Sequence, residues 1–247
     1  MITVRFFGTG NAFADGGRSH ACIQLSAPGL SLLLDCGGSS LPAIRRANAA
    51  DSIDAIVVSH LHGDHFGGIP YLAVQQHYAG RTRPLAIAGP RDLAPRLRAA
   101  EQALYPDFFK RGQPKFDVPV TTFGPSETLL AGALITAVPV KHVAESDPHG
   151  VRVRIGEMVI AYSGDAAWTD DLVTLSRDAD LFICEATNFT AADERVNPAH
   201  LSYETVRAKR DQLGCKRIVL THLGASSIAH LNEFELDYAS DGLEVQV

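Results

Sequence analysis

The chain comprises 247 residues, 46% hydrophobic and 20% charged, with 22 Lys and Arg against 28 Asp and Glu and a formal net charge of −6 that leaves ten histidines uncounted. That composition is too apolar and too weakly charged for a disordered chain, and its acidic balance argues against a broad basic face that neutralises many phosphates. The length suits one large domain, residues 1–247, because single cores split mostly beyond roughly 250 to 300 residues.

In chain order, short β-branched runs alternate with longer helical patterns. Strands are predicted at Thr3–Phe7, Ala21–Leu25, Ser31–Asp35, Ala55–Ser59, Leu85–Ala88, Ala133–Val140, Val151–Ile155, Met158–Ser163, Leu181–Glu185, Arg217–Thr221 and Leu243–Val247. Helices are predicted at Leu41–Asn48, Ile69–Tyr78, Arg91–Leu104, Asp170–Ser176 and Tyr203–Leu213, the last with Ser202 as its N-cap. Gly112–Pro125 reads as a loop joining two halves, and both element types occur in each half, which fits two packed sheets with helices outside. The N-terminus alternates like a strand and lacks the apolar run of a signal peptide. No stretch reaches the roughly 20 apolar residues of a membrane span. Cys22, Cys36, Cys184 and Cys215 are scattered and form no Cys-x-x-Cys pair, so reduced, buried thiols in the cytoplasm are expected.

The sharpest feature is His60-Leu61-His62-Gly63-Asp64-His65, directly after the apolar strand Ala55–Ser59. A turn at a strand end can aim alternate side chains one way and the next two at a neighbouring wall. Gly63 is expected to remove a side chain where the backbone passes close to metal. Neutral imidazoles and carboxylates suit zinc, manganese or ferrous ions. Elsewhere, residues 81–115 carry eight basic side chains against three acidic ones. They form either a solvated face or a device that steers anions. Tyr105, Phe108 and Phe109, beside Lys110 and Arg111, read as core or dimer contacts, or as a lip that stacks on a ring. His149, in a turn soon after His142, is the other histidine expected near the site.

The histidine run, together with an aspartate ending the upstream strand in Leu32-Leu33-Leu34-Asp35-Cys36-Gly37, resembles the signature of the metallo-β-lactamase superfamily. The resemblance implies an α/β (α+β) fold, a four-layer αββα sandwich with two metals at one edge. Position by position it adds His142, Asp165 in Tyr162-Ser163-Gly164-Asp165, and His222 in Leu220-Thr221-His222. The first metal then takes His60, His62 and His142, the second takes Asp64, His65 and His222, and Asp165 bridges them. Asp35 either holds a ligand imidazole in its tautomer or caps nearby amides.

Cys184-Glu185-Ala186-Thr187 and His200-Leu201-Ser202 resemble paired segments of the ribonuclease Z branch, which bring a glutamate and a histidine to the scissile phosphate. Three departures stand out: Cys184 where that branch has His, Leu201 where it has Ser, and Ala166 where it usually has Thr. Only 23 residues lead from His142 to Asp165, too few for the protruding arm that grips transfer RNA, so RNA remains a possible substrate but transfer-RNA 3′ processing is not expected. The resemblance implies a phosphodiesterase-type hydrolase, a homodimer acting on a small or medium anionic substrate and binding no membrane. Two divalent ions, zinc first, would hold a bridging hydroxide as nucleophile, Asp64 would orient it, His200 would protonate the leaving oxygen or bond the developing charge, and Glu185 would orient His200. The bland alternative for His200 is a helix-start histidine satisfied by backbone. A thioester, lactone or β-lactam hydrolase uses the same centre. An iron oxidoreductase is disfavoured because that branch has Glu where this chain has His62. A non-enzymatic metal scaffold completes the alternatives.

Overall fold

The computed structural model describes residues 1–247. Its elements run β1 (Thr3–Gly8), β2 (Cys22–Ala27), β3 (Leu30–Leu34), α1 (Ser40–Arg46), β4 (Ala55–Val57), α2 (Gly63–Phe66), α3 (Ile69–Tyr78), β5 (Ala86–Gly89), α4 (Leu93–Leu104), α5 (Pro106–Lys110), β6 (Val120–Thr122) and β7 (Thr128–Leu130). They continue with β8 (Ala133–Pro139), β9 (His149–Ile155), β10 (Met158–Tyr162), α6 (Asp170–Ser176), β11 (Leu181–Glu185), α7 (Ala191–Val196), α8 (Tyr203–Leu213), β12 (Ile218–Thr221), α9 (Ala225–Ala229), β13 (Asp237–Tyr238) and β14 (Glu244–Gln246). One seven-stranded sheet has the order β14-β1-β2-β3-β4-β5-β6, and the other β13-β12-β11-β10-β9-β8-β7.

Alternation along the strands builds the layers. Val4 and Phe6 of β1 and Leu32 and Leu34 of β3 point between the sheets, where they meet Val153, Ile160, Tyr162 and Ile183 from the second sheet. Leu33 points the other way, under α1, α3 and α4 with Ile44, Leu72 and Leu93. Strand β3 is therefore buried on both faces, which explains its nearly unbroken apolar run. Leu33→Ala belongs to the class of core truncations costing about 2–5 kcal/mol. On the far side, Phe182 and Leu220 pack under α6 and α8 against Leu172, Leu175 and Val206. The result is an αββα sandwich, as expected. No helix is long and apolar enough to cross a membrane.

Strands β3 to β6 are mutually parallel, and so are β10 to β13. Their carboxyl ends open at one edge of the sandwich, the usual place for a site in sheets of this kind. Several predicted strands stop early there. Asp35 leaves β3 with φ +59°, and the Ser59 amide donates to Asp35 Oδ1 instead of to a neighbouring strand.

The expected loop Gly112–Pro125 contains β6, and β7 and β13 were also unforeseen; these strands have two or three residues and show little alternation to read. Helix α7 was missed despite a full capping box, in which Thr190 accepts from the Asp193 amide and Asp193 accepts from the Thr190 amide. Ser202 caps α8 as expected, accepting from the Thr205 amide.

Candidate metal centre

The chain leaves β4 in extended form, so His60 and His62 project to one side. The Leu61 amide meanwhile donates to Ser146 O, and the Leu61 side chain is buried. At Gly63 the backbone turns into α2, whose first turn carries Asp64 and His65. Gly63 itself is not the tight position: a Cβ there would meet nothing within 4 Å. The steric demand falls on Gly37, where a Cβ would lie 2.0 Å from Asp64 O, so the loop after β3 must pass directly beneath the motif. From the second sheet, His142 follows β8, Asp165 follows β10 and His222 follows β12.

All seven predicted ligands converge. His60, His62, His142 and Asp165 form one group able to hold a metal ion, and Asp64, His65, Asp165 and His222 form another, with potential ligand atoms within 4.8 Å of one another in each. Asp165 belongs to both, and its two oxygens divide between them. Oδ1 lies 3.3 Å from His65 Nε2 and 3.4 Å from His222 Nε2, while Oδ2 lies 3.7 Å from His60 Nε2 and 3.9 Å from His142 Nε2.

The donor set fits divalent ions on two grounds. His65 Nε2 and Asp165 Oδ1 are fully buried and have no hydrogen-bond partner, a cost of about 1–3 kcal/mol each unless a cation takes their lone pairs. The charges also call for one. Burial pushes the carboxyls of Asp64 and Asp165 up, yet neighbouring imidazoles overcome it and hold both well below the ordinary range. Burial, reinforced by His65, pushes His60 down. For His65 the same burial is outweighed by Asp165, Asp64 and Asp35, which raise it, the pull that clustered carboxylates exert on any positive charge placed among them.

Behind these two groups lie two carboxylates with no exposed surface, Asp35 and Glu185. Asp35 accepts from the Ser59 amide (2.7 Å), Ser59 Oγ (2.8 Å), Tyr162 OH (2.9 Å) and His65 Nδ1 (2.7 Å). Both readings of Asp35 therefore hold, since it caps an amide and orients an imidazole. Glu185 accepts from the Ala166 amide (2.8 Å), the Thr187 amide (3.1 Å), Thr187 Oγ1 (2.8 Å) and His200 Nδ1 (2.9 Å). Burial alone would lower the His200 pKa, but Glu185 outweighs it and holds the imidazole at about 9. His142 donates from Nδ1 to Ala199 O at 2.9 Å, which leaves its Nε2 lone pair facing the centre. Asp35 and His222, each one residue past a strand end, both have left-handed backbone, a strain of about 1–2 kcal/mol apiece.

The three departures from the ribonuclease Z pattern leave this arrangement intact. Cys184 and Leu201 point into the core between sheet and helices, where burial pushes the Cys184 thiol up. Ala166 serves through its backbone amide. Ser59, Tyr162 and Thr187 were not foreseen as site residues, although Ser59 adjoins the histidine run and Thr187 closes the Glu185 segment.

Of the other candidates, His149 and part of the basic segment are held by local partners. His149 Nδ1 lies 2.8 Å from Asp147 O and the ring packs edge-on against Phe123. Within the basic segment, Arg81 binds the carbonyls of Ile53 and Pro84, and Arg83 binds that of Ile53 and pairs with Asp54. A surface groove of about 400 Å³ lined by His77, Tyr78, Tyr105, Phe108 and Arg111 shares no residue with the centre.

A ribonuclease Z of Methanothermobacter thermautotrophicus is 25% identical, over 90% of this chain and 87% of its own. The human short-form tRNase Z superposes with a TM-score of 0.79 at 23% identity, over 99% of both chains, a likeness of fold. An uncharacterized protein of Mycobacterium tuberculosis is 35% identical over 203 residues, which is 78% of this chain and 69% of that protein. A family model described as a beta-lactamase superfamily domain matches residues 31–223, and with that span and the αββα sandwich carrying its His and Asp groups, the chain belongs to the metallo-β-lactamase superfamily.

Proposed function

We propose that this protein hydrolyses phosphodiesters at a dinuclear centre, with a small or medium anionic substrate. The observation that carries the reading is the Glu185–His200 pair. His200 lies 2.9 Å from Glu185 and 4.0 Å from Asp165 Oδ2, yet belongs to neither group built around Asp165. It groups instead with Glu185 and His222, and an imidazole held by a carboxylate beside a metal centre can bond charge on phosphoryl oxygens or protonate a leaving oxygen.

When bound, two divalent cations, zinc by preference, would neutralise phosphoryl charge and acidify a water near neutral pH. His60, His62 and His142 would hold one ion, Asp64, His65 and His222 the other, and Asp165 both. Asp64 Oδ2, 3.3 Å from His65 Nε2 and 3.4 Å from His222 Nε2, is also positioned to orient the attacking water. Glu185 would orient His200 through its contact with Nδ1.

The interval from His142 to Asp165 is occupied by β9 and β10, both fully within the sheet, which supports a substrate other than a whole transfer RNA.

Elemental analysis followed by parallel assay of a chromogenic phosphodiester, a thioester and a β-lactam tests the reading. We expect close to two ions per chain and turnover of the phosphodiester. Preference for either carbonyl substrate would reject the phosphodiester assignment, and fewer than one ion per chain would reject the dinuclear centre.

A further inference from the structure

Two hydroxyls behind the centre are shared in the same way between a buried carboxylate and an imidazole. Ser59 Oγ lies 2.8 Å from Asp35 Oδ2 and 3.1 Å from His60 Nδ1. Thr187 Oγ1 lies 2.8 Å from Glu185 Oε2 and 2.9 Å from His222 Nδ1. The two residues come from different sheets, one beyond β4 and the other beyond β11.

A hydroxyl has one proton to donate. For Ser59 the neighbouring oxygen is a carboxylate already organised as an acceptor, so the proton goes to Asp35. For Thr187 there are two oxygen acceptors, Glu185 Oε2 and His222 O at 2.9 Å, and the carboxylate, nearer and charged, takes the proton. In both cases the hydroxyl oxygen can then only accept from the imidazole, which must carry its hydrogen on Nδ1. His200 does not compete, because its Nδ1 is nearer to Glu185 Oε1 (2.9 Å) than to Thr187 Oγ1 (3.3 Å).

The consequence appears at the other ring nitrogen. His60 Nε2 is left with a lone pair 3.0 Å from His62 Nδ1, itself an expected ligand atom, and 3.7 Å from Asp165 Oδ2, and His222 Nε2 with one 3.4 Å from both Asp165 Oδ1 and Asp64 Oδ2. Lone pairs aimed at carboxylate oxygens are repulsive unless a cation lies between them. A hydroxyl also fixes the tautomer without adding charge, which suits a centre already surrounded by Asp35, Asp64, Asp165 and Glu185.

We propose that Ser59 and Thr187 are positioning residues, one for each metal position, whose hydroxyls hold His60 and His222 as Nδ1–H tautomers and so set the affinity of the two positions separately. This rests on the dinuclear reading above. Loss of a partner that orients a ligand imidazole typically costs about 10- to 100-fold in metal affinity. S59A should therefore weaken the His60 position and T187V the His222 position, each by about that factor, while T187S stays near wild type.

The test is zinc titration against a competing chromophoric chelator, with the occupancy of each position read by anomalous scattering from crystals. In the zinc-loaded wild type, 15N correlation spectra of the histidines should give Nδ1–H at both His60 and His222. That spectrum needs no variant to fold, and Nε2–H at either residue overturns the proposal. So does wild-type affinity at both positions in S59A or T187V, or loss of the same position in both. A wild type that binds no pair of ions rejects the dinuclear reading itself, and this inference with it.

Discussion

Asp35 and Glu185 stand at matching stations in the two sheets, each buried at the carboxyl end of a parallel strand and each accepting four hydrogen bonds from amide, hydroxyl and imidazole donors. They differ in the imidazole they hold. The His65 side chain has no exposed surface and its Nε2 faces Asp64 and Asp165, whereas the His200 side chain is 16% exposed and joins neither group built around Asp165. The same carboxylate device thus ends in two kinds of chemistry. A sealed imidazole has only cations to meet, and in our reading it becomes a ligand. An imidazole with exposed surface can meet substrate, and in our reading it moves a proton.

The strongest way to break this comparison is to remove the residue common to both groups. D165N should lower turnover by at least about 1,000-fold and leave fewer than one ion per chain, because it takes away the anion facing both positions. H200A should lower kcat by about 100- to 1,000-fold, in the range of a lost general acid, with KM for a phosphodiester changing much less. Equal losses in a substrate whose leaving group needs no proton would remove that role.

Chelation should destabilise the whole fold. With ligand in roughly thousandfold excess over Kd, linkage contributes about 4 kcal/mol, or on the order of 10 °C in Tm for a chain of this size. Calorimetry with and without chelator measures it, and an unchanged Tm would mean that the buried groups need no cation. Y162F deletes one of the four donors to Asp35 and should cost about 1 kcal/mol by denaturant melts while leaving metal content intact.

The smallest effect concerns pH. In chelated protein the folded-state pKa of His200 lies above its unfolded value, so its pairing with Glu185 contributes stability fully present below about pH 6.5. That contribution is lost as pH rises through about 9. Alkaline melts of chelated H200A should show a shallower decline than wild type over that window.

How much of this was legible depended on whether neighbouring residues do the work together. His60, His62, Asp64 and His65 occupy one strand-end turn, so their spacing alone pointed to a metal centre. His142, Asp165 and His222 are single residues at separate strand ends; His222 meets Asp64 across 158 positions of sequence, and only likeness to a family picked them out. Ser59 and Thr187 sat beside residues already singled out and Tyr162 did not, but none could be assigned a role, because a hydroxyl at a strand end serves many purposes and its partners are fixed only by folding. Gly63 drew attention that belonged to Gly37, since a close approach between distant backbone segments is invisible in either segment. The long strands of the core were read from their apolar pattern, while β6, β7 and β13 were too short to show one. Helix α7 was the avoidable omission, its Thr190 and Asp193 spacing being a helix-start signal in plain view.

Metal content per chain in wild type, H65A and H200A, purified side by side, separates the two carboxylate devices most directly. The account predicts two ions in wild type, no more than one in H65A and two in H200A. Loss of metal in H200A, or full retention in H65A, would contradict it.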